Sequence, residues 1–452
     1  MQRITITERD TTTNGSEYTL EDSVFVPGFA NTGDILKPIK CSSTAEFLQN
    51  FCSDGNEPVF ETVQNYPEFA AGSTAGFAAN AIPPHQDEED ASVMYLAGSI
   101  CPSYSYALSL LSSGISIYYM RMNEYSYTVG SNGEKVFPAG YDVTVEKAYA
   151  TFKSDVFIET TAQKDSITEK YYDIKYITTG GYPSFEYSYV DSTLLANLMT
   201  NIAAIRGDCV ALIDHTDNAS RALTGSASVF ESMKGSGITN GTYGTLFTPW
   251  TLNANGVSLQ PSYCYLVNMA VSSKSNPTWL AISGVTRGLL SNVAKTNTDK
   301  ELTNTIAESY QNSTGISINP ITYIRPYGYC IWGNRTLTSR GVSKTASGFA
   351  TSFLNIRNLV SDVKKQAYTS AQSCLFEQNT DVLWTNFKSL MTPLLDKMVS
   401  GTGLKTYKFV KNTSVDKTKV SCTIKLYPIY TVESFDIEIH ISNDDEVTVE
   451  SV

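Results

Sequence analysis

The chain has 452 residues, with 45 Asp and Glu against 33 Lys and Arg, a net charge of −12. Length alone leaves room for about two to four domains with sizeable cores. Binding nucleic acid through phosphates needs a basic face; the longest basic run is Lys364-Lys365, so no DNA or RNA partner is expected. Charged residues make up 17% of the chain while Tyr alone supplies 28 residues. Protein contact surfaces favour such a charge-poor, Tyr-rich composition, because Tyr offers a large rigid contact at low entropy cost.

The start, Met1-Gln2-Arg3-Ile4-Thr5, has no apolar stretch, and no apolar run approaches the roughly 20 residues of a bilayer span. Neither a signal peptide nor a membrane partner is expected. The eight cysteines (Cys41, Cys52, Cys101, Cys209, Cys264, Cys330, Cys374, Cys422) are dispersed without a CxxC pair. They read as small core residues and not as a zinc site or disulfide framework.

In chain order, the first 20 residues are polar and Thr-rich (Thr5, Thr7, Thr11, Thr12, Thr13), the texture of an extended arm. Val24 to Phe29 is a short strand. Ser43-Thr44-Ala45-Glu46 is a capping-box pattern leading into Phe47, Leu48 and Phe51, a short amphipathic helix. Residues 80–91, with Pro83-Pro84 and Asp87-Glu88-Glu89-Asp90, read as an exposed loop. A helix from Pro102 to about Ser113 ends at Gly114 and feeds a strand from Ile115 to Met122. Tyr141 to Tyr189 alternates in short period-two runs, which suggests a small β domain.

From Ser192 the texture changes. Leu194 to Ile205 has helical spacing and stops at Gly207, and Cys209 to Ile213 is a continuous apolar run, the mark of a buried strand. A helix over Ser228 to Lys234, a strand over Tyr243 to Trp250 and a helix capped by Thr298, with Glu301 as its box partner, follow. This alternation argues for an open α/β sheet. Tyr329 to Gly333 reads as a strand. Phe353 to Phe376 is a long helix with Ile356, Leu359, Val360, Val363 and Ala367 on one face. Asp381 to Ser400 is a second helix carrying Leu383, Trp384, Phe387, Leu390, Leu394, Leu395 and Met398, with Pro393 inside it. Strands then return, and Phe435-Asp436-Ile437-Glu438-Ile439-His440-Ile441 alternates perfectly.

No constellation for catalysis, cofactor or metal emerges. The histidines are His85, His215 and His440. Asp214-His215 is the best catalytic candidate, because it follows a buried strand in the α/β region. Adjacent residues in extended backbone point to opposite faces, so they cannot be the Asp–His couple of one triad. His85 beside Asp87 and Glu88 is the only metal candidate. Gly235 to Gly241 follows a helix and lacks the Lys of a phosphate loop. Gly72-Ser73-Thr74-Ala75-Gly76 has the spacing of a nucleophile elbow without its flanking strand and helix.

Tyr329-Cys330-Ile331-Trp332-Gly333-Asn334-Arg335-Thr336-Leu337 resembles the W-G-x-R-T-L signature of contractile phage tail sheath proteins. Phe353-Leu354-Asn355-Ile356-Arg357-Asn358-Leu359 is similar to that family's N-V-R-R-L helix start, with Asn358 in place of the second Arg. Leu375-Phe376-Glu377-Gln378-Asn379 with Leu383-Trp384, and Pro428 to Phe435 with Glu433, resemble its later motifs. Thr248-Pro249-Trp250 and Val26-Pro27-Gly28-Phe29 match looser ones upstream.

The resemblance implies an α/β and α+β multidomain chain. Its units would be an N-terminal arm (1–22), an N-terminal sheath domain (23–122), an inserted β-sandwich (123–191), a subtilisin-like α/β middle domain without a protease site (192–328) and an α+β C-terminal sheath domain with a terminal arm (329–452). It implies a structural subunit, with no cofactor, that forms a helical homo-oligomer around a tail tube protein and meets baseplate and tail terminator proteins. Such a subunit is assembled in the host cytoplasm and resides in the virion's tail sheath. The strand Phe435, Ile437, Ile439, Ile441 would join neighbouring subunits, or would be an edge within its own domain. The same likeness fits a pyocin-like or other contractile injection particle. A hydrolase on the α/β scaffold is the reading from another class.

Overall fold

Parallel strands need crossovers long enough to return to the same end of the sheet, and helices usually supply them. This chain meets that demand repeatedly. The computed structural model describes residues 23–30, 32–53, 55, 57, 102–121, 128–129, 135–136, 167, 172–181, 192–215, 238–298, 302–312, 316–338, 350–412 and 418–432. The expected arm at 1–22, the loop at 80–91 with His85, the stretch Gly72 to Gly76, the helix at 228–234, Glu433 and the strand Phe435 to Ile441 lie outside the described residues, as does most of 123–191.

The described elements begin with β1 (Ser23–Gly28), β2 (Pro38–Cys41), α1 (Thr44–Phe51), α2 (Pro102–Ser112) and β3 (Ile117–Arg121), followed by the short pair β4 (Thr128–Val129) and β5 (Lys135–Val136). Next come β6 (Ile174–Ile177), α3 (Ser192–Arg206), β7 (Val210–Ile213) and β8 (Gly244–Thr248). Three short strands, β9 (Thr251–Leu252), β10 (Ser258–Leu259) and β11 (Lys295–Thr296), form a small sheet around α4 (Pro261–Ser273) and α5 (Gly284–Arg287). Then follow α6 (Asn304–Asn312), β12 (Asn319–Ile324), β13 (Gly328–Ile331), α7 (Leu354–Ser373), α8 (Asp381–Ser400), β14 (Leu404–Asn412) and β15 (Ser421–Pro428).

The main sheet runs β13-β12-β8-β7-β6-β1-β3-β2. Its six inner strands are parallel, and β13 and β2 close the two edges antiparallel. The chain is therefore mixed α/β around a parallel-rich sheet. The units expected at 23–122, 123–191, 192–328 and 329–452 all contribute strands to this one sheet.

Side chains alternate across a strand, and the sheet uses both directions. Val24 and Val26 face a core with Phe47, Phe51, Leu110, Tyr265 and Leu266, drawn from α1, α2 and α4. Phe25 faces the opposite core with Leu195, Met199 and Ile202 of α3. Ile213 and Leu246 meet Ala307 and Tyr310 of α6. A fourth core joins Leu359 and Val363 of α7 to Met391, Leu394, Leu395 and Met398 of α8, with Trp279 and Leu404.

Local signals explain several boundaries. Ser43 Oγ accepts the Glu46 N–H at 3.2 Å, and the Glu46 carboxylate accepts the Ser42 N–H at 2.8 Å, the reciprocal logic of a capping box. Thr380 caps α8 by accepting the Leu383 N–H at 3.3 Å. Pro393 stays within α8 on its exposed side. Gly207 ends α3 with φ +74, the left-handed conformation glycine favours. The expected cap at Thr298 is corrected: α6 starts at Asn304, and Thr303 receives the Ile306 N–H on its hydroxyl and the Ala307 N–H on its carbonyl. The helix expected to reach Phe376 stops at Ser373.

Leu395 is fully buried in the α7–α8 core. Leu395→Ala is expected to destabilise the fold by about 2–5 kcal/mol, read as a lowered denaturation midpoint with an unchanged slope.

Candidate functional site

The signature residues form a junction that fastens α7 to the sheet. Asn319 opens β12 and spans the gap to residues 333–337. Its Oδ1 accepts the Arg335 N–H at 2.7 Å, and its Nδ2 donates to the Arg335 carbonyl at 2.8 Å and to Thr245 Oγ1 at 2.9 Å. Gly333 must be glycine for this approach: a Cβ there would lie 2.7 Å from Asn319 Oδ1 and 2.9 Å from its Cα. Arg335 is buried with its guanidinium 4.0 Å above the Phe353 ring, and donates to Ser352 Oγ at 3.2 Å. Thr336 donates its N–H to the Ser352 carbonyl at 2.9 Å, and the Leu337 N–H reaches the Gly244 carbonyl at 2.9 Å.

The Asn334 carbonyl then accepts the Leu354 N–H at 3.0 Å, at the first turn of α7. One turn on, Arg357 donates from Nε to the Thr242 carbonyl at 2.8 Å and lies 4.0 Å over the Tyr243 ring. Burial lowers its pKa. Trp332, Gly333, Arg335, Thr336, Leu337 and Arg357 thus come together. Trp332 is the exception in burial, at 39% exposed. Asn358, where the family pattern has Arg, is buried and donates to the Tyr176 hydroxyl at 3.0 Å. Trp384 sits apart on α8, stacked on Phe387 at 5.9 Å and edge-on to Phe409 of β14 at 6.3 Å.

The Asp214-His215 pair has another role. Asp214 follows β7 and is buried. Its carboxylate accepts the Ser262 N–H at 3.0 Å and a short hydrogen bond from the Ser262 hydroxyl, which is itself 3.0 Å from the Tyr106 hydroxyl. Ser262 lies in the first turn of α4, so Asp214 caps that helix with a carboxylate where the helix dipole favours one. Burial outweighs the two Ser262 hydrogen bonds and pushes the Asp214 pKa up to about 6. The His215 carbonyl accepts the Trp250 indole N–H at 2.7 Å. Among the described residues, no group of three or more His, Cys, Asp or Glu could hold a metal ion, and no helix is long and apolar enough to cross a membrane. Five of the seven described cysteines are buried, and burial pushes Cys209 and Cys264 up to about 12.

The ribbon β14–β15 stands outside the main sheet. Tyr407, Phe409, Ile424 and Leu426 turn inward to the α7–α8 core. Lys408 stands directly opposite Lys425, and Thr406 opposite Tyr427, on the outward face. Like charges directly opposite are unfavourable. Among the described residues neither outer edge of the ribbon pairs with another strand. After β15 the chain returns to the junction: Ile429 donates its N–H to the Gly403 carbonyl at 3.1 Å, and Tyr430 packs on Phe353 with ring centres 5.5 Å apart. Tyr427, Ile429, Tyr430 and Val432 are all exposed.

This arrangement, a parallel-rich sheet faced by helices with an αα-hairpin and a ribbon, has an overall fold similar to that of chains from contractile assemblies. The chain is similar over 98% of its length to 98% of a chain from the anti-feeding prophage (AFP) baseplate in its contracted state, at 14% identity and a TM-score of 0.59. A contracted PVC sheath complex of an extracellular contractile injection system matches 98% of this chain with 98% of its own, at 12% identity and a TM-score of 0.54. The contracted AFP helical sheath matches 98% with 99% of its own chain, at 14% and 0.51. No protein-family model matches the sequence, and no curated protein does.

Gly333→Ala is expected to lose about 1–3 kcal/mol by overpacking against Asn319, measured by chemical denaturation. For Asp214 the folded pKa, about 6, lies above its ordinary 3.8. The folded state binds the extra proton between these values, so this group's contribution falls as pH rises through that window. Relative to Asp214→Asn, the wild-type chain should gain about 1 kcal/mol of stability between pH 7 and pH 5, read from paired denaturation curves.

Proposed function

We propose that the chain is a structural subunit that polymerises as a helical sheath around an inner tube and contracts to drive that tube through a target envelope. The observation that carries this reading is the likeness over 98% of both chains to proteins of contractile assemblies, one of them a helical sheath. A phage tail is the first setting, with a tube protein, baseplate and terminator as partners, assembly in the host cytoplasm and residence in the virion. The similarity to PVC and AFP proteins favours a second setting, the sheath of a pyocin-like or other contractile injection particle. The role is mechanical and not catalytic, consistent with an Asp214 carboxylate spent on capping α4.

The proposed architecture keeps a terminal arm at 1–22, a β-sandwich inserted within 123–191 ahead of β6, which belongs to the main sheet, a subtilisin-like core around 192–328 and the C-terminal unit from 329. Subunits link by strand addition. Phe435, Ile437, Ile439 and Ile441 of one copy would continue the inward apolar face of a neighbour's ribbon. Asp436 and Glu438 would then fall on the outward side, beside whichever of Lys408 and Lys425 lies on the strand they join, and would offset the repulsion of that pair.

Electron micrographs of the purified full-length chain should show hollow tubes or stacked rings. Uniform small particles, with only monomer in the ultracentrifuge at high concentration, would overturn the reading. Replacing Ile437 and Ile439 by Asp should leave a wild-type thermal melt but no tubes, because each buries a charge in the shared sheet. Loss of cooperative unfolding in that variant would make the strand internal to its own domain.

A further inference from the structure

Helix α7 has two buried faces of opposite character. Leu359 and Val363 pack against Met391, Leu394, Leu395 and Met398 of α8. On another side, Asn355, Asn358, Asp362 and Lys365 are also buried, and their spacing places them in one stripe along the helix. They are answered from two main places on the body, residues 173–176 at β6 and residues 278–279. Asn355 Nδ2 donates to the Trp279 carbonyl at 3.1 Å, and its Oδ1 accepts from Asn334 Nδ2 at 2.7 Å. Asn358 reaches Tyr176 of β6. Asp362 accepts from Thr278 Oγ1 at 2.9 Å and lies 3.4 Å from Lys175 Nζ of β6, with the two side chains 1% and 2% exposed. Lys365 pairs with Asp173, just before β6.

The apolar face is non-directional and tolerates sliding, the more so with two methionines in it. The polar stripe does not. Moving α7 by one turn would strand two charges and two amides in a buried layer. Polar groups in an otherwise apolar helix interface are best attested as devices that fix register at some expense of stability.

We propose that Asn355, Asn358, Asp362 and Lys365, with Asp173, Lys175 and Tyr176 opposite them, are positioning residues that set the axial register of α7 on the sheet. The apolar face holds the helix pair together; the stripe decides the direction in which α8 and the β14–β15 ribbon project. The consequence for assembly rests on the proposed sheath function, but the register itself is a property of the single subunit, so a subunit measurement decides it.

The test is the full-length chain carrying Lys175→Met with Asp362→Leu, an apolar pair of similar size. The expected thermal midpoint is equal to or above wild type. Amide hydrogen exchange in α7 should accelerate about tenfold or more while β7, an internal reference for global opening, stays unchanged. A neutral hydrogen-bonding pair, Lys175→Gln with Asp362→Asn, should keep wild-type exchange in α7. Exchange in the Met–Leu variant that matches wild type, or that rises equally in α7 and β7, would overturn the proposal. If the Met–Leu variant does not fold, the Gln–Asn variant decides alone: wild-type exchange in α7 supports directional positioning, and accelerated exchange overturns it.

Discussion

The parallel sheet imposes the constraint on which the rest depends. Its inner strands β8, β7, β6 and β1 are buried at every residue, as strands of a parallel sheet covered on both faces are. Val24, Phe25 and Val26 are successive residues of β1 with no exposure at all, serving opposite cores. A polar group on these strands has no water to fall back on, so each needs a fixed partner. Thr245 donates to the Arg335 carbonyl, Lys175 meets Asp362, and Asp214, just past β7, meets Ser262. Arg335 and Asp362 come from far along the chain, and supplying them ties the C-terminal third to the body.

A motif such as W-G-x-R-T-L invites a chemical explanation. The geometry gives a mechanical one. Gly333 permits a backbone approach that a Cβ would block. Arg335 turns its charge inward over an aromatic ring, where a guanidinium retains favourable electrostatics without bulk water. Asn319 uses donor and acceptor on the same short stretch of backbone. Losing one such contact exposes its buried partner to the full desolvation penalty, so the residues behave as a unit.

Elements with a strong local rule were legible in the sequence. The apolar run ending at Ile213, the capping box of Ser43 and Glu46, and the periodic face of α8 all stand close to where the pattern puts them. Elements that borrow stability from tertiary contacts were not. Helix α4 reads PSYCYLVNMAVSS, full of Ser, Tyr, Val and Cys, which are weak helix formers; burial and the Asp214 cap sustain it. Strand β12 carries Pro320 inside it, which argues against a strand, yet the strand lies next to the sheet edge. Thr298 and Glu301 had the right spacing for a cap and lost to Thr303, since such spacing also arises by chance. In α7, periodicity located the apolar face but could not say that the Asn355–Lys365 stripe is covered too. The Asp214–Ser262 contact spans 48 residues and leaves no local trace. The expected joining strand lies outside the described residues, so its role rests on pattern and on the ribbon beside which it would lie.

In the proposed sheath the body and the ribbon would divide mechanical labour. A two-stranded ribbon is marginal by itself, and this one has one face on α8 and a lysine pair on the other. Its free energy is therefore open to improvement by a neighbour, whereas the inner strands of the sheet, buried on both faces, have little to gain. A strand donated by one copy to another's ribbon makes a heterologous contact, which propagates as a ring or helix and does not close as a dimer. Backbone hydrogen bonds in such a link depend on strand pairing and not on how the bodies are packed. Rigid bodies can then change their packing while the chain-to-chain links persist, which is what a lattice must do to shorten without falling apart.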